Sequence, residues 1–183
     1  DYNNRYKLYE FMLKKENLDG DINYIEFGVA QGHSFKWWMQ NNKNPQAHFY
    51  GFDTFTGLPE DWNFLFKKGS MSDSGKIPEV VDSRGELFPG LFQDTLPGFL
   101  SKLDNTKRNI IHLDADLYTS TLYVLTTMAP FIKKNDILMF DEFFVPTHEF
   151  KAFTEFVSAF YLKYEVIGAI NNFLQTAIKI TDK

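Results

Sequence analysis

The stretch Ile25-Glu26-Phe27-Gly28-Val29-Ala30-Gln31-Gly32-His33-Ser34 decides how this chain is read. Residues 21–25 before it end in a short apolar run of β type, and Ser34-Phe35-Lys36-Trp37-Trp38-Met39-Gln40 after it has the composition of a short helix. A strand, a Gly turn and a helix in that order bring backbone N–H groups and a helix N-terminus to a ligand. Gly28 and Gly32 allow the sharp turn and a close approach. Glu26, at the strand end, places a carboxylate where a ligand can donate to it. The spacing is G-x-x-x-G rather than the G-x-G-x-x-G of dinucleotide-binding folds. A second apolar run, Phe49-Tyr50-Gly51-Phe52-Asp53, ends in an acid 25 residues after Gly28. That is where an α/β nucleotide site puts the carboxylate that binds both ribose hydroxyls.

Composition bounds the rest. A length of 183 residues with 17% aromatics, Phe alone contributing 20, describes one packed domain spanning 1–183 and not a disordered chain. The net charge of −5 and the lack of any basic run longer than two argue against nucleic acid and anionic membrane surfaces as partners. No apolar stretch approaches the roughly 18–20 residues of a membrane span. No signal peptide is visible, and a cytoplasmic location is expected. With no cysteine, disulfides, thiolate zinc sites and cysteine nucleophiles are excluded.

Along the chain, residues 2–16 predict a helix, with Tyr6, Tyr9 and Leu13 on one face. Further strands are expected at 47–53, near 85–91, at 109–114 and at 137–141. Helices are expected after Gly90, at 120–131 and at 147–162, the last turning Phe150, Phe153, Val157 and Phe160 to the core. Two final strands, 164–167 and 173–180, are joined by Gly168-Ala169-Ile170-Asn171-Asn172 and suggest an antiparallel edge hairpin. Residues 54–84, with Gly57, Pro59, Gly69, Gly75 and Pro78, form a long irregular connection, read as a lid over the site. The alternation of β and α predicts an α/β fold with a mostly parallel sheet covered on both faces.

The acids fall in a regular way. Glu26, Asp53, Asp114 and Asp141 each terminate an apolar run, and in open α/β sheets ligands bind beyond the carboxyl ends of the strands. A core does not require such acids, because an unpaired buried carboxylate costs free energy. Asp116 and Glu142 lie beside them in sequence. Oxygen donors from neighbouring strand ends, without Cys or His spacing, suit a hard divalent ion such as Mg²⁺. The four histidines share no ligand spacing; His112, in mid-strand, reads as a core residue with a satisfied ring. Ser34 lacks the Gly-x-Ser-x-Gly context of a hydrolase elbow.

Five motifs occur in order: Glu26-Phe27-Gly28-Val29…Gly32…Ser34, Tyr50-Gly51-Phe52-Asp53-Thr54-Phe55-Thr56-Gly57-Leu58-Pro59, Gly90-Leu91-Phe92-Gln93-Asp94-Thr95-Leu96-Pro97, Leu113-Asp114-Ala115-Asp116-Leu117-Tyr118-Thr119-Ser120-Thr121 and Phe140-Asp141-Glu142-Phe143. Together they resemble the macrocin O-methyltransferase family, class I S-adenosylmethionine-dependent methyltransferases, over residues 22–145. The resemblance implies a Rossmann-like seven-stranded sheet of order 3-2-1-4-5-7-6 with strand 7 antiparallel. It implies that Gly28 and Gly32 pass the methionine part of the cofactor, that Ser34 helps hold its carboxylate, and that Asp53 takes the ribose. Phe92 and Gln93, at the end of the third strand, match the adenine-contacting segment. Glu26 and Asp114 belong to the same cofactor site, and Asp114, Asp141 and Glu142 would hold Mg²⁺. Where the family has two consecutive aspartates, this chain has Asp141-Glu142, whose longer arm changes the ligand geometry. No residue matches a known base, and Asp116 is the candidate.

The expectation is therefore methyl transfer from S-adenosylmethionine to a hydroxyl of a small-molecule acceptor, in the family a natural-product sugar. The alternatives are a nicotinamide-dependent oxidoreductase on a related sheet and a non-catalytic nucleotide-binding domain. The abundant aromatics and the N-terminal helix permit a homodimer.

Overall fold

The computed structural model describes all 183 residues. After a 3₁₀ turn at Tyr2–Asn4 come α1 (Arg5–Lys15), β1 (Ile22–Phe27), α2 (His33–Asn41), β2 (His48–Asp53), β3 (Gly85–Pro89), α3 (Phe92–Leu100) and β4 (Arg108–Leu113). Then follow α4 (Tyr118–Met128), a 3₁₀ turn, β5 (Ile137–Phe140), α5 (Glu149–Ala159), β6 (Lys163–Ile170) and β7 (Gln175–Asp182). The sheet order is β3-β2-β1-β4-β5-β7-β6. The first five strands pair in parallel, and β7 runs antiparallel to both β5 and β6. This is the expected Rossmann-like methyltransferase order.

The central strands are apolar on both sides because both sides are covered. Successive side chains of a strand point to opposite faces. In β1, Tyr24 accordingly joins Phe49, Ile110 and Met139 under α1 and α2, with Tyr9, Met12, Phe35 and Trp38. Ile25 and Phe27 join Phe52, Leu113 and Phe140 under α3, α4 and α5, with Phe99, Leu125, Phe153 and Phe156. All six residues of β1 are buried, so burial runs unbroken along the strand instead of alternating, and it takes in the polar Asn23 and Glu26.

Four expectations are corrected. The helix of 2–16 opens as a 3₁₀ turn before α1. Phe92 and Gln93 do not end β3, which stops at Pro89; they are the first residues of α3. On α5 the core face is Glu149, Ala152, Phe153, Phe156 and Val157, while Phe150 and Phe160 are about two-fifths exposed. A buried acid at position 149 takes the slot the apolar pattern had assigned to Phe150. Finally, β6 runs through Gly168 to Ile170, and the reversal uses Asn171, Asn172 and Phe173, all in the left-handed region. Gly168 is needed for another reason: a Cβ there would lie 2.8 Å from Leu8 of α1, which crosses the strand.

Candidate functional site

The sheet order reverses between β1 and β4, and a crevice opens beyond their carboxyl ends, where this fold binds ligands. The two strand ends nearly touch. Asp114 N–H donates to the carbonyl of Phe27 at 2.9 Å, and a Cβ on Gly28 would stand 1.8 Å from the Asp114 carbonyl oxygen. Gly28, at φ 95°, is thus required by strand packing as well as by the turn.

A cavity of about 510 Å³ fills the crevice. Of the sequence-predicted residues, Glu26, Gly28, Ser34, Asp53, Phe92, Gln93, Asp114, Asp116 and Glu142 line it. Gly32 is the left-handed N-cap of α2 and packs on Pro78. Asp141 is fully buried behind the lining. Segment 54–84 walls the opposite side with Thr54, Gly57, Leu58, Pro59, Met71, Ser72 and Asp73. The segment is folded back on itself: Leu58 N–H donates to Ser70 and Gly69 N–H to Leu58, at 2.9 and 2.8 Å. A hydrogen bond from Thr119 to Glu60 ties it to α4, and the Trp62 ring lies edge-on to His148.

Asp53 holds the turn. Its Oδ2 accepts from the backbone N–H of Val29 at 2.8 Å and of Ala30 at 2.7 Å, and its Oδ1 accepts from Phe55 N–H at 2.7 Å. A carboxylate has roughly four acceptor sites, and three of those on Asp53 are taken by these amides.

Glu26 is buried, and Tyr24 donates to its Oε2 at 2.7 Å. Burial pushes its carboxyl up to about 8, against the pull of the Tyr24 hydrogen bond and the Arg5 charge. The Tyr24 hydroxyl also lies 2.7 Å from His112 Nδ1. Burial holds His112 down at about 3, so the ring is neutral. Its polar partner was invisible in the sequence.

The acid cluster is denser than predicted. Burial and then the Asp141 charge raise Asp114 well above the usual range. Burial, with neighbouring carboxylates, moves Asp116 and Glu142 each to about 7. Asp116 adopts φ 57°, a left-handed turn that sets its side chain against the cavity. A further acid, Glu149, is fully buried and accepts from Glu142 N–H at 2.9 Å. Two cavity residues escaped the sequence reading, Tyr2 and Arg5. Tyr2 hydrogen-bonds Asp141 Oδ2. No sequence pattern marks either residue, because an Arg and a Tyr in a first helical turn read as surface.

As hard oxygen donors, Asp114, Asp141 and Glu142 fit a divalent cation chemically, and Asp141 Oδ1 and Glu149 Oε1 are buried without any partner. No three such side chains, however, are grouped closely enough to hold a metal ion. The expected Mg²⁺ set is thus not a formed cage, and Asp141 Oδ2 is engaged by Tyr2. For a nucleoside-bearing cofactor the Gly turn, the uncapped N-terminus of α2, and Asp53, Phe92 and Gln93 around one space are a suitable cradle.

A family model described as a methyltransferase domain matches residues 25–143. No curated protein sequence matches the chain. Among solved structures, the calicheamicin methyltransferase CalS11 aligns over 94% of this chain and 77% of its own, with TM-score 0.71 and 22% identity. The O-methyltransferase NovP aligns over 92% and 75%, with TM-score 0.70 and 20% identity. TomG from Streptomyces achromogenes, an O-methyltransferase in tomaymycin synthesis solved with S-adenosylmethionine, aligns over 94% and 78%, with TM-score 0.57 and 14% identity. At these identities the likeness is one of fold. No helix is long and apolar enough to cross a membrane.

Proposed function

The chain belongs to the methyltransferase domain family, and from that premise we propose that it moves the methyl group of S-adenosylmethionine to a hydroxyl of a small molecule. The observation that carries this reading is the single cavity shared by the Gly turn, Asp53 and Gln93 on one side and Asp114, Asp116 and Glu142 on the other. Family membership sets aside the oxidoreductase alternative. CalS11 is described as a TDP-rhamnose 3'-O-methyltransferase, which supports a sugar hydroxyl of a natural product as the acceptor class.

The acceptor oxygen attacks the methyl carbon in line with the bond to sulfur. That bond breaks, its electron pair stays on sulfur, and S-adenosylhomocysteine leaves. Since the methyl group is already activated, the chain's task is placement, which can supply ~7–11 kcal/mol. The turn at Gly28 and Gly32 with Ser34 holds the methionine part. Asp53 fixes that turn and accepts from the ribose. Phe92 and Gln93 flank the adenine. Asp116, in the cavity wall, takes the hydroxyl proton. Segment 54–84 excludes water as a cover. Mg²⁺ held by Asp114, Asp141 and Glu142 would lower the pKa of an acceptor hydroxyl and orient it.

The test incubates the protein and Mg²⁺ with S-adenosylmethionine and a panel of nucleotide sugars, glycosides and phenols, and reads methyl gain by mass spectrometry. Calorimetry with S-adenosylhomocysteine accompanies it. Binding with methyl gain on an oxygen is expected; absence of binding overturns the reading.

A further inference from the structure

A second hollow, of about 340 Å³, lies between the loop that leaves β5 and the turn joining β6 to β7. Its lining is Phe143, Phe144, Pro146, Phe150, Asn172 and Phe173, with no charged residue among them. Phe143 forms the inner wall, its ring packed on Phe140, Phe150 and Phe153 at 5.1, 5.3 and 5.5 Å between centres. Phe144 and Phe173 are 67% and 57% exposed. Aromatic side chains gathered in a concave place and left to water mark a binding groove rather than a core. The groove adjoins the cavity described above. Glu142 lines the cavity, and the next residue, Phe143, lines the groove. Phe143 N–H donates to the Leu174 carbonyl at 2.8 Å, and the Gln175 amide donates to the Asp141 carbonyl at 3.0 Å, so the hairpin turn is fixed against the acid cluster. The Trp62 ring lies 6.1 Å from His148, two residues past Pro146, so the cover of the cavity comes down beside the groove as well.

We propose that this groove is the aglycone subsite of the acceptor: the sugar enters the cavity with its hydroxyl beside Asp116 and Glu142, and an apolar, ring-bearing aglycone lies on Phe143, Phe144 and Phe173. The inference rests on the methyl-transfer reading above and narrows its acceptor from sugars in general to finished glycosides. Size favours this occupant. The groove's volume lies at the low end of the roughly 300–1,000 Å³ of small-molecule sites. Its six lining residues fall well short of the roughly 20–30 per side that a stable protein interface uses. Charge favours it too. Six acids line the cavity, Glu26, Asp53, Asp73, Asp114, Asp116 and Glu142, against one guanidinium, that of Arg5. The diphosphate of a nucleotide sugar would meet like charge there, whereas a neutral glycoside does not. The chemistry then orders two reactions. Glycosyl transfer onto the apolar aglycone comes first, and its product is what this chain methylates.

The test measures methyl transfer to three forms of one sugar, taken through rhamnose and a set of other hexoses: the methyl glycoside, the 2-naphthyl glycoside and the nucleoside diphosphate sugar. The naphthyl glycoside is expected to exceed the methyl glycoside in kcat/KM by roughly 10- to 100-fold, through a lower KM, as burial of an aromatic group does. Phe144→Ser and Phe173→Ser, both at exposed positions, should each shrink that ratio severalfold by raising KM for the naphthyl form. Their affinity for S-adenosylhomocysteine, measured by calorimetry, reports an intact cofactor side. If one variant does not fold, the native ratio and the other variant decide. Methyl and naphthyl glycosides used equally well, a nucleoside diphosphate sugar preferred to both, or a ratio that the variants leave in place overturns the subsite. So does a native dimer that Phe144→Ser dissociates in light scattering, since a second copy then covers the groove. Absence of transfer to any glycoside while S-adenosylhomocysteine binds also overturns it and leaves the donor reading standing. A native protein that does not bind S-adenosylhomocysteine refutes the donor reading, and the subsite falls with it.

Discussion

Tyr24 donates its hydroxyl to Oε2 of Glu26 at 2.7 Å, and His112 Nδ1 stands 2.7 Å behind the same hydroxyl. With Tyr24 donating forward, the neutral imidazole carries its proton on Nδ1 and donates to Tyr24. A buried chain of three groups thus sets the direction of one carboxyl on the cavity wall. Burial pushes Glu26 from 4.5 up to about 8 in the folded protein. A group whose folded pKa lies above its unfolded one contributes stability that is fully present below the unfolded value. That contribution is lost as pH rises through the folded value. The ligand-free protein is therefore expected to lose stability between pH 5 and pH 8, with Glu26 supplying a slope of up to about 1.4 kcal/mol per pH unit. Asp116 and Glu142 titrate in the same direction, so Glu26→Gln should flatten the slope without abolishing it. Urea denaturation across this range measures it, and parallel native and variant curves would contradict the account.

Asp53 fixes the turn that carries Val29 and Ala30, and Ala30 pays for that turn with a left-handed φ of 46°. Asp53→Asn puts an amide donor where two N–H groups need an acceptor. Hydrogen exchange at Val29 and Ala30 should accelerate before any ligand is added, with a stability loss of about 1–3 kcal/mol. If Asp53 served only the ribose, ligand-free exchange would not change.

Strands β1, β2, β4 and β5 were legible because they are short apolar runs punctuated by acids, a pattern that parallel sheets impose when both faces are covered, while their order followed from the family resemblance. Edge strand β3 was blurred since none of its residues is fully buried. The final turn was misplaced because Gly168 suggested a bend when its role is to admit α1. In the site, residues at strand ends could be named from their position in the chain. Tyr2, Arg5 and Glu149 could not, because their placement follows from how α1 and α5 dock on the sheet. That Asp53 also holds the turn could not be read, since its partners there are backbone amides and carry no sequence signal.

Gly28 and Gly98 offer a matched pair of substitutions. A Cβ at Gly28 meets the Asp114 carbonyl at 1.8 Å on a positive-φ backbone, so Gly28→Ala must part β1 from β4 beneath the cavity. A loss of more than about 3 kcal/mol is expected, as for other changes that combine overpacking with backbone strain. Gly98 lies inside α3, and a Cβ there meets nothing within 4 Å. Gly98→Ala should stabilise by about 0.5–1 kcal/mol through helix propensity. Thermal melts of both variants check the contrast. A well-folded Gly28→Ala protein with unchanged midpoint would show that the strand ends are not in the contact described.

Tyr2 competes for the carboxylate that a cation would need. Its hydroxyl donates to Asp141 Oδ2, while Oδ1 of the same group is buried without a partner. Tyr2 is 44% exposed and belongs to neither buried core, so it can leave Asp141 without disturbing the core. Tyr2→Phe removes the donor and leaves a buried carboxylate less well paired, which should lower stability without metal by about 1–3 kcal/mol. The same change removes the competitor, so the rise in melting midpoint with Mg²⁺ should set in at lower Mg²⁺ concentration than in the native protein. Asp141→Asn should abolish that rise in either background. Titration of MgCl₂ at constant ionic strength separates site binding from screening. If neither protein responds to Mg²⁺, the acids of this cavity act without a divalent ion and the hydroxyl proton must be taken by a carboxylate alone.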